Sequence, residues 1–440
     1  MVYSKKYGRV CEMESRMKTE KRKAIQDWVF FFVLWGIYTA ATLFLFHRQS
    51  VNYAGKYISD IQPYIWYVKG EDVGYSYPYP ILFKTAAFLS LFLESRMAMA
   101  FAVTGLNALT PLVMKWYLNR WDNRKSLEKG EEKTGSGKRF LQTGLLFSLL
   151  FVSMLYPLWR RENRYTGVFS PNPFHNATYL AARGFAVWAF CSFMEIRLFG
   201  KKKAKDYLLF SVMLLLATMT KPSFTLGFVI TAGMVLLTEF FKKLKQGVKK
   251  TFREYLPLAA CFVPTFLDLL YQYKGVFVPA GEDVEQGIGF GFLTAWKTAS
   301  EHVGLSVFLG LGFVIAVLCF QEKEIKKNRL YRFSLLMLLV NLVMMMVLYE
   351  KGYRMAHLNF AWGYMYGMFF AFAASLMILC QKTAQFLGVK KRRVTEDAEG
   401  GPDRRIPTMA ALILQWAFYA AHLICGIVYF IHLLQGESFL

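Results

Sequence analysis

Residues 27–46 read DWVFFFVLWGIYTAATLFLF, twenty residues with one charge at the first position and none after it. At about 1.5 Å per residue a helix of that length rises roughly 30 Å, the thickness of the hydrocarbon core of a bilayer. A charged segment precedes the stretch, but the stretch is long and no small-residue cleavage site follows it, so it reads as an uncleaved anchor. Ten further apolar stretches follow, at about 97–118, 140–158, 178–199, 207–219, 222–241, 255–273, 302–320, 333–349, 360–381 and 408–433. Together they predict an all-α polytopic membrane protein with about eleven transmembrane helices, a single integral membrane domain over 1–440.

Composition points the same way. Of 440 residues 55% are hydrophobic and 17% aromatic, more apolar surface than a soluble domain can hide. The net charge of +23 would suit a nucleic-acid binder if the basic residues were clustered for that purpose, but their positions have another explanation. With the N-terminal tail 1–26 in the cytoplasm, the loops on that side are 1–26, 119–139, 200–206, 242–254, 321–332 and 382–407, and they hold 37 of the 53 lysines and arginines. The positive-inside rule then places the N-terminus in the cytoplasm and, with an odd number of spans, the C-terminus outside a plasma membrane. Anionic lipids of the inner leaflet are the natural partners of this charge, and nucleic acid is not needed to explain it.

Cys11 falls in the tail and the other five cysteines fall within or at the ends of spans, with no CxxC spacing, which makes them packing residues. There is no phosphate-binding GxxxxGK[ST] stretch and no evident repeat. The charged, glycine-containing stretches 122–139 and 390–407 have the composition of linkers, and 382–407 reads as a flexible cytoplasmic loop.

Polar residues that topology does not explain collect in the outer segments 47–96, 159–177, the tip near 220, 274–301 and 350–359. The first contains SDIQPYIWYVKGEDVGYSYPYP (59–80), then Ile81–Leu93, which at about 20 Å as a helix is too short to span and is expected to lie in the interface. Asp60 stands there among Tyr57, Tyr64, Trp66 and Tyr67, as a general base tuned by partial burial or as a helix N-cap. Lys221, in TMTKPSF, follows only thirteen apolar residues, so a helix starting near Asp206 reaches it after about 22 Å, short of the outer surface. A lysine at that depth either meets an anion or snorkels to the headgroups.

In YEKGYRMAHLNFAWGY (349–364), Arg354 offers a fork for phosphate or carboxylate and His357 a proton near neutral pH; alternatively Arg354 pairs with Glu350 four residues earlier. SPNPFHNATYLAAR (170–183) adds His175, Asn176 and Arg183, and its Asn-Ala-Thr match to a glycosylation acceptor is short enough to arise by chance.

This layout resembles the GT-C superfamily of integral membrane glycosyltransferases, which includes protein mannosyltransferases and lipid A aminoarabinose transferases. The shared plan is a first span, a long outer loop with an acid soon after it, interfacial helices and many further spans. It covers most of the chain, while the motif is a few residues. The resemblance implies transfer of a sugar from a polyprenyl-phosphate donor to a lipid, glycan or protein acceptor at the outer face, with the carboxylate of Asp60 in ISDIQPYIW as the catalytic base. Many members carry two acids together in this loop, whereas Ile61 and Gln62 follow Asp60; the pair Glu71–Asp72 is the alternative, although GEDVGY reads as a solvated turn.

The departing phosphate needs cations, for which Lys221 and Arg354 are placed, with His175 and His357 as further candidates. A divalent metal is compatible with this chemistry but not required, and the sequence shows no metal-ligand cluster. A transporter or lipid flippase is the rival reading, carried by the break at TMTKPSF. A polysaccharide polymerase or ligase is another, for which Glu282, Asp283 and Glu285 in the loop 274–301 leave room.

Overall fold

The computed structural model describes residues 2–51, 55–73, 76–129, 136–159, 167–200, 203–277, 286–393 and 405–437. Among these the chain is almost wholly helical. The anchor belongs to a 49-residue helix, α1 (Val2–Ser50), followed by two short helices, α2 (Ile61–Val68) and α3 (Pro80–Leu89), in the segment read as the first outer loop. Next come α4 (Ser95–Lys129), α5 (Ser136–Leu149), α6 (Ala177–Phe199), α7 (Ala204–Thr220) and α8 (Ser223–Lys243). The second half holds α9 (Val248–Ala260), α10 (Val263–Val276), α11 (Trp296–Ala299), α12 (Val303–Phe320), α13 (Glu322–Lys327), α14 (Arg329–Val347), α15 (Ala361–Arg393) and α16 (Arg405–Leu434). Strands β1 (Ile288–Phe290) and β2 (Leu348–Glu350) pair antiparallel, with Gly289 opposite Tyr349.

Among the described residues seven helices are long and apolar enough to cross a membrane: Arg22–Ser50 of α1, Ser95–Asp122 of α4, all of α8, α12 and α14, Gly352–Leu387 around α15, and Met409–Leu434 of α16. The other four apolar stretches fall on α5, α6, α7 and the α9–α10 pair. Of these, α6 is long enough but carries Arg183 among its apolar residues, and the rest are short. α6 is the buried axis, with α4 and α7 packed along it, while α15 packs on α14.

Two of the expected spans are not continuous helices. The stretch 255–273 breaks between Ala260 and Val263, because Pro264 has no N–H to donate and its ring collides with the carbonyl four residues back. The stretch 140–158 is helical only to Leu149; a turn at Leu150–Phe151 follows, and the chain then runs without regular secondary structure as far as Pro157.

That non-helical backbone is satisfied by distant residues, as an apolar setting demands. Asn172 Nδ2 donates to the carbonyls of Leu149 (3.0 Å) and Val152 (2.8 Å). Ser153 N–H donates to the His422 carbonyl (3.1 Å) and Leu155 N–H to that of Leu309 (2.9 Å). His422 completes the seam: Nδ1 meets Ser153 O at 2.6 Å and Nε2 accepts from Phe313 N–H at 3.2 Å. α16 comes so close that a Cβ at Gly426 would lie 1.5 Å from the Phe151 carbonyl oxygen, and only glycine fits there.

The stretch read as a flexible loop, 382–407, begins as helix, since α15 continues to Arg393; residues 394–404 lie outside the described set. So do residues 278–285, and with them Glu282, Asp283 and Glu285.

Candidate functional site

Three segments far apart in sequence meet where α2, α6 and the α7–α8 junction come together. Pro222 disfavours the helical region for the residue before it, and Lys221 is accordingly extended (φ −163°, ψ 122°), ending α7. Its side chain turns into the protein and is only 7% exposed. Nζ donates to Thr178 Oγ1 (2.9 Å) and to Asn176 Oδ1 (3.1 Å), and lies 4.8 Å from the centre of the Trp362 ring. The lysine thus meets protein acceptors and an aromatic face rather than snorkelling outward.

Asp60 holds the N-cap position of α2 but makes no side-chain cap bond; Ser59 Oγ instead accepts from Ile61 N–H at 3.3 Å. The Asp60 backbone N–H donates to the His175 carbonyl (3.2 Å), and its carboxylate accepts from Asn176 Nδ2 through Oδ2. The carboxylate therefore points toward α6, away from the helix end that it could have capped.

Asn176 is the N-cap of α6, where Oδ1 accepts from Tyr179 N–H at 2.8 Å. Thr178 Oγ1 donates to the same oxygen (3.1 Å) and shares a hydrogen bond with the Tyr64 hydroxyl (3.2 Å). Asn176 and Thr178 are buried, which accounts for the Asn-Ala-Thr match as a helix start rather than a glycan acceptor.

Burial pushes the Asp60 carboxyl above the usual carboxylate range, against the opposing pull of Lys221 and the Asn176 hydrogen bond. Burial pulls Lys221 down to about 8, opposed by the carboxylates of Asp60 and Glu350. His175 lies in the same centre, its ring 5.7 Å from Trp362, but burial and Lys221 lower it to about 4. It is therefore neutral near pH 7 and offers a phosphate no positive charge.

Arg354 reaches the centre's edge already paired. It stands on a 3₁₀ turn (Gly352–His357) directly after β2, and its Nε lies 2.7 Å from Glu350 Oε2, which also accepts from Asn359 Nδ2 at 2.8 Å. Phe277 covers the guanidinium at 5.7 Å. Tyr79 connects the two halves: the charges of Arg354, Asp60 and Glu350 all act on its hydroxyl, which burial and the neighbouring Tyr77 keep protonated. Tyr77 and Tyr79 belong to a cluster with Tyr64, Tyr67 and Phe83, ring centres 5.1 to 6.0 Å apart, that fastens α3 over α2.

His357 is exposed, edge-on to Tyr353 at 5.9 Å, and its charged neighbours are Arg354 and Glu350. Glu71 and Asp72 are exposed on the turn after α2, where Glu71 N–H closes onto the Trp66 carbonyl at 2.9 Å. Of the three candidate acids in this segment, Asp60, Glu71 and Asp72, only Asp60 joins the centre.

Sequence reasoning did not select Asn176, Thr178, Tyr79, Glu350 or Trp362 as site residues. For Asn176 a signal existed, an Asn two residues before a Thr at the head of an apolar run, which also reads as an N-cap. For Trp362 there was none.

A divalent ion does not suit these residues: Asp60 faces an ammonium and an amide NH2, and Glu350 is held by Arg354 and Asn359. Among the described residues no three His, Cys, Asp or Glu side chains gather to hold one. No protein-family model matches this chain, and no curated protein matches it.

Proposed function

We propose that this protein is a membrane glycosyltransferase that moves a sugar from a polyprenyl-phosphate donor to a hydroxyl-bearing acceptor at the outer face. This reading takes the eleven apolar stretches as eleven crossings, some broken, with the N-terminus in the cytoplasm and the C-terminus outside. The observation that supports it most is the union of Asp60 with Lys221 through Asn176. Among the described residues one Asp60 carboxylate oxygen has no hydrogen-bond partner, and Lys221 uses two of its three N–H groups.

In the proposed step the acceptor hydroxyl attacks the anomeric carbon. Its proton passes to Asp60, the new C–O bond forms, the bond to the phosphate oxygen breaks, and polyprenyl phosphate leaves with the electron pair. Lys221 meets the charge that develops on the phosphate, and Arg354 contributes by sharing its guanidinium between Glu350 and the ligand.

Asp60→Asn keeps the shape and removes the base, so transfer falls by about 10²- to 10⁴-fold while expression and folding persist. Undiminished transfer of labelled sugar by that variant would refute the assignment.

A transporter or lipid flippase remains the second reading, favoured by the helix break at Lys221 and by the non-helical segment between Leu149 and Pro157. Reconstitution in vesicles separates the two, because flux of a lipid-linked sugar with no new glycosidic bond belongs to the carrier.

A further inference from the structure

The side-chain amide of Asn176 stands between the base and the cation of the proposed site, Asp60 and Lys221, and its orientation is fixed by what surrounds it. Oδ1 takes three donors, Tyr179 N–H, Thr178 Oγ1–H and Lys221 Nζ–H. Rotating the amide by half a turn would set its NH2 against a peptide N–H and an ammonium, neither of which can accept. The NH2 must therefore face Asp60, and one neutral group satisfies both charges at once.

Resting on the reading of Asp60 as the base, we infer that Asn176 is a positioning residue that holds Asp60 and Lys221 one amide apart. A direct ion pair at this site would commit the carboxylate to the ammonium and leave a weaker base and a neutralised cation. Spacing them by an amide leaves an open oxygen on one and an open N–H on the other. The two reacting partners of a transfer, a hydroxyl and a phosphate, need those two positions.

The groups that act on Asp60 come from every element around it: Lys221 from the α7–α8 junction, Tyr64 from α2 and Tyr79 before α3. His175 adjoins it before α6, and Glu350 and Arg354 act through Lys221 and Tyr79. Of these, only Lys221 has its charge separated from Asp60 by a side chain bonded to both.

Two substitutions test the spacing and keep the α6 cap. Asn176→Ser still accepts from Tyr179 N–H but has no second arm, so the ammonium closes on the carboxylate. Asn176→Asp keeps both the cap and the bond to Lys221 but sets a second carboxylate against Asp60. The readout is the infrared carboxyl band of Asp60 in purified protein, identified by its loss in Asp60→Asn, followed against pH. Asn176→Ser is expected to lower the midpoint by about one unit, and Asn176→Asp to raise the upper midpoint of the coupled pair by about one unit or more.

A residue that merely caps α6 would move neither midpoint, so unchanged values, or shifts in the same direction, overturn the inference. The transfer reading is checked separately with a panel of polyprenyl-phosphate hexoses. Opposite shifts without turnover of any hexose by the unsubstituted protein keep the positioning role and count against the transferase. Turnover with unmoved midpoints does the reverse.

Discussion

Lys221→Met removes the buried cation and keeps most of its volume, so it isolates the charge. In the intact site the Asp60 and Lys221 charges are joined through one amide hydrogen-bonded at both ends. Such a bridge sets them roughly 6 Å apart, where two unit charges interact by about 3 kcal/mol at an effective dielectric near 20. That corresponds to about two pK units.

The sign follows from which form of Asp60 the lysine favours. Lys221 stabilises the carboxylate, and without it burial acts unopposed except for the Asn176 bond, so the Asp60 midpoint climbs further above the usual range. The base form then exists only at higher pH, and the acid limb of the transfer–pH profile moves up by one to two units, a range set by ~3 kcal/mol less screening.

Stability gives a second check with its own sign. An acid whose folded value is raised favours the fold below its unfolded value and loses that contribution as pH rises through the folded value. The melting-temperature deficit of Lys221→Met should accordingly be large near pH 7 and shrink toward pH 4. An unmoved acid limb, or a deficit independent of pH, would refute the coupling of the two charges.

Gly426→Ala places a Cβ 1.5 Å from the Phe151 carbonyl oxygen, backbone that cannot yield, and is expected to abolish the monodisperse peak in size-exclusion chromatography. Gly36→Ala, on the anchor with open space around it, should leave the same trace unchanged. The double substitution Glu71→Gln, Asp72→Asn alters exposed carboxylates on the turn after α2 and should keep transfer within about twofold, since surface changes of this kind cost little. A loss comparable to that of Asp60→Asn would move the catalytic base to this pair.

The helical, membrane-embedded character of the chain was legible, and seven of the eleven expected crossings appear among the described residues as helices long and apolar enough to span, because a bilayer imposes one length and one composition on a crossing and both survive in a single sequence. Two of the breaks were legible in principle as well: Pro222 and Pro264 each write a helix end into the chain. The break after Leu149 carries no such mark. It is made by Asn172, His422 and Gly426, none of them within twenty residues of Leu149, which take up the freed backbone groups. The pairing of Arg354 with Glu350 was written in their i, i+4 spacing. Asp60 and Asn176 stand 116 residues apart, and no local pattern can join them.

The break and the site are nevertheless parts of one construction, and α6 is where they join. Two turns below Asn176 on the same helix, fully buried Arg183 donates to Asn172 Oδ1, to the Tyr38 hydroxyl (3.1 Å) and to Asn107 Oδ1 (3.1 Å), with Phe369 against its guanidinium at 5.1 Å. All four partners are neutral, so Arg183 is held by hydrogen bonds and an aromatic face rather than by an ion pair. Asn172 in turn satisfies the carbonyls left open where α5 ends. The four residues between Asn172 and α6 contain His175, whose carbonyl receives the Asp60 N–H, and Asn176, whose amide holds the carboxylate. Fixing the end of α5 therefore fixes the lead-in to α6, and through it the distance between Asp60 and Lys221.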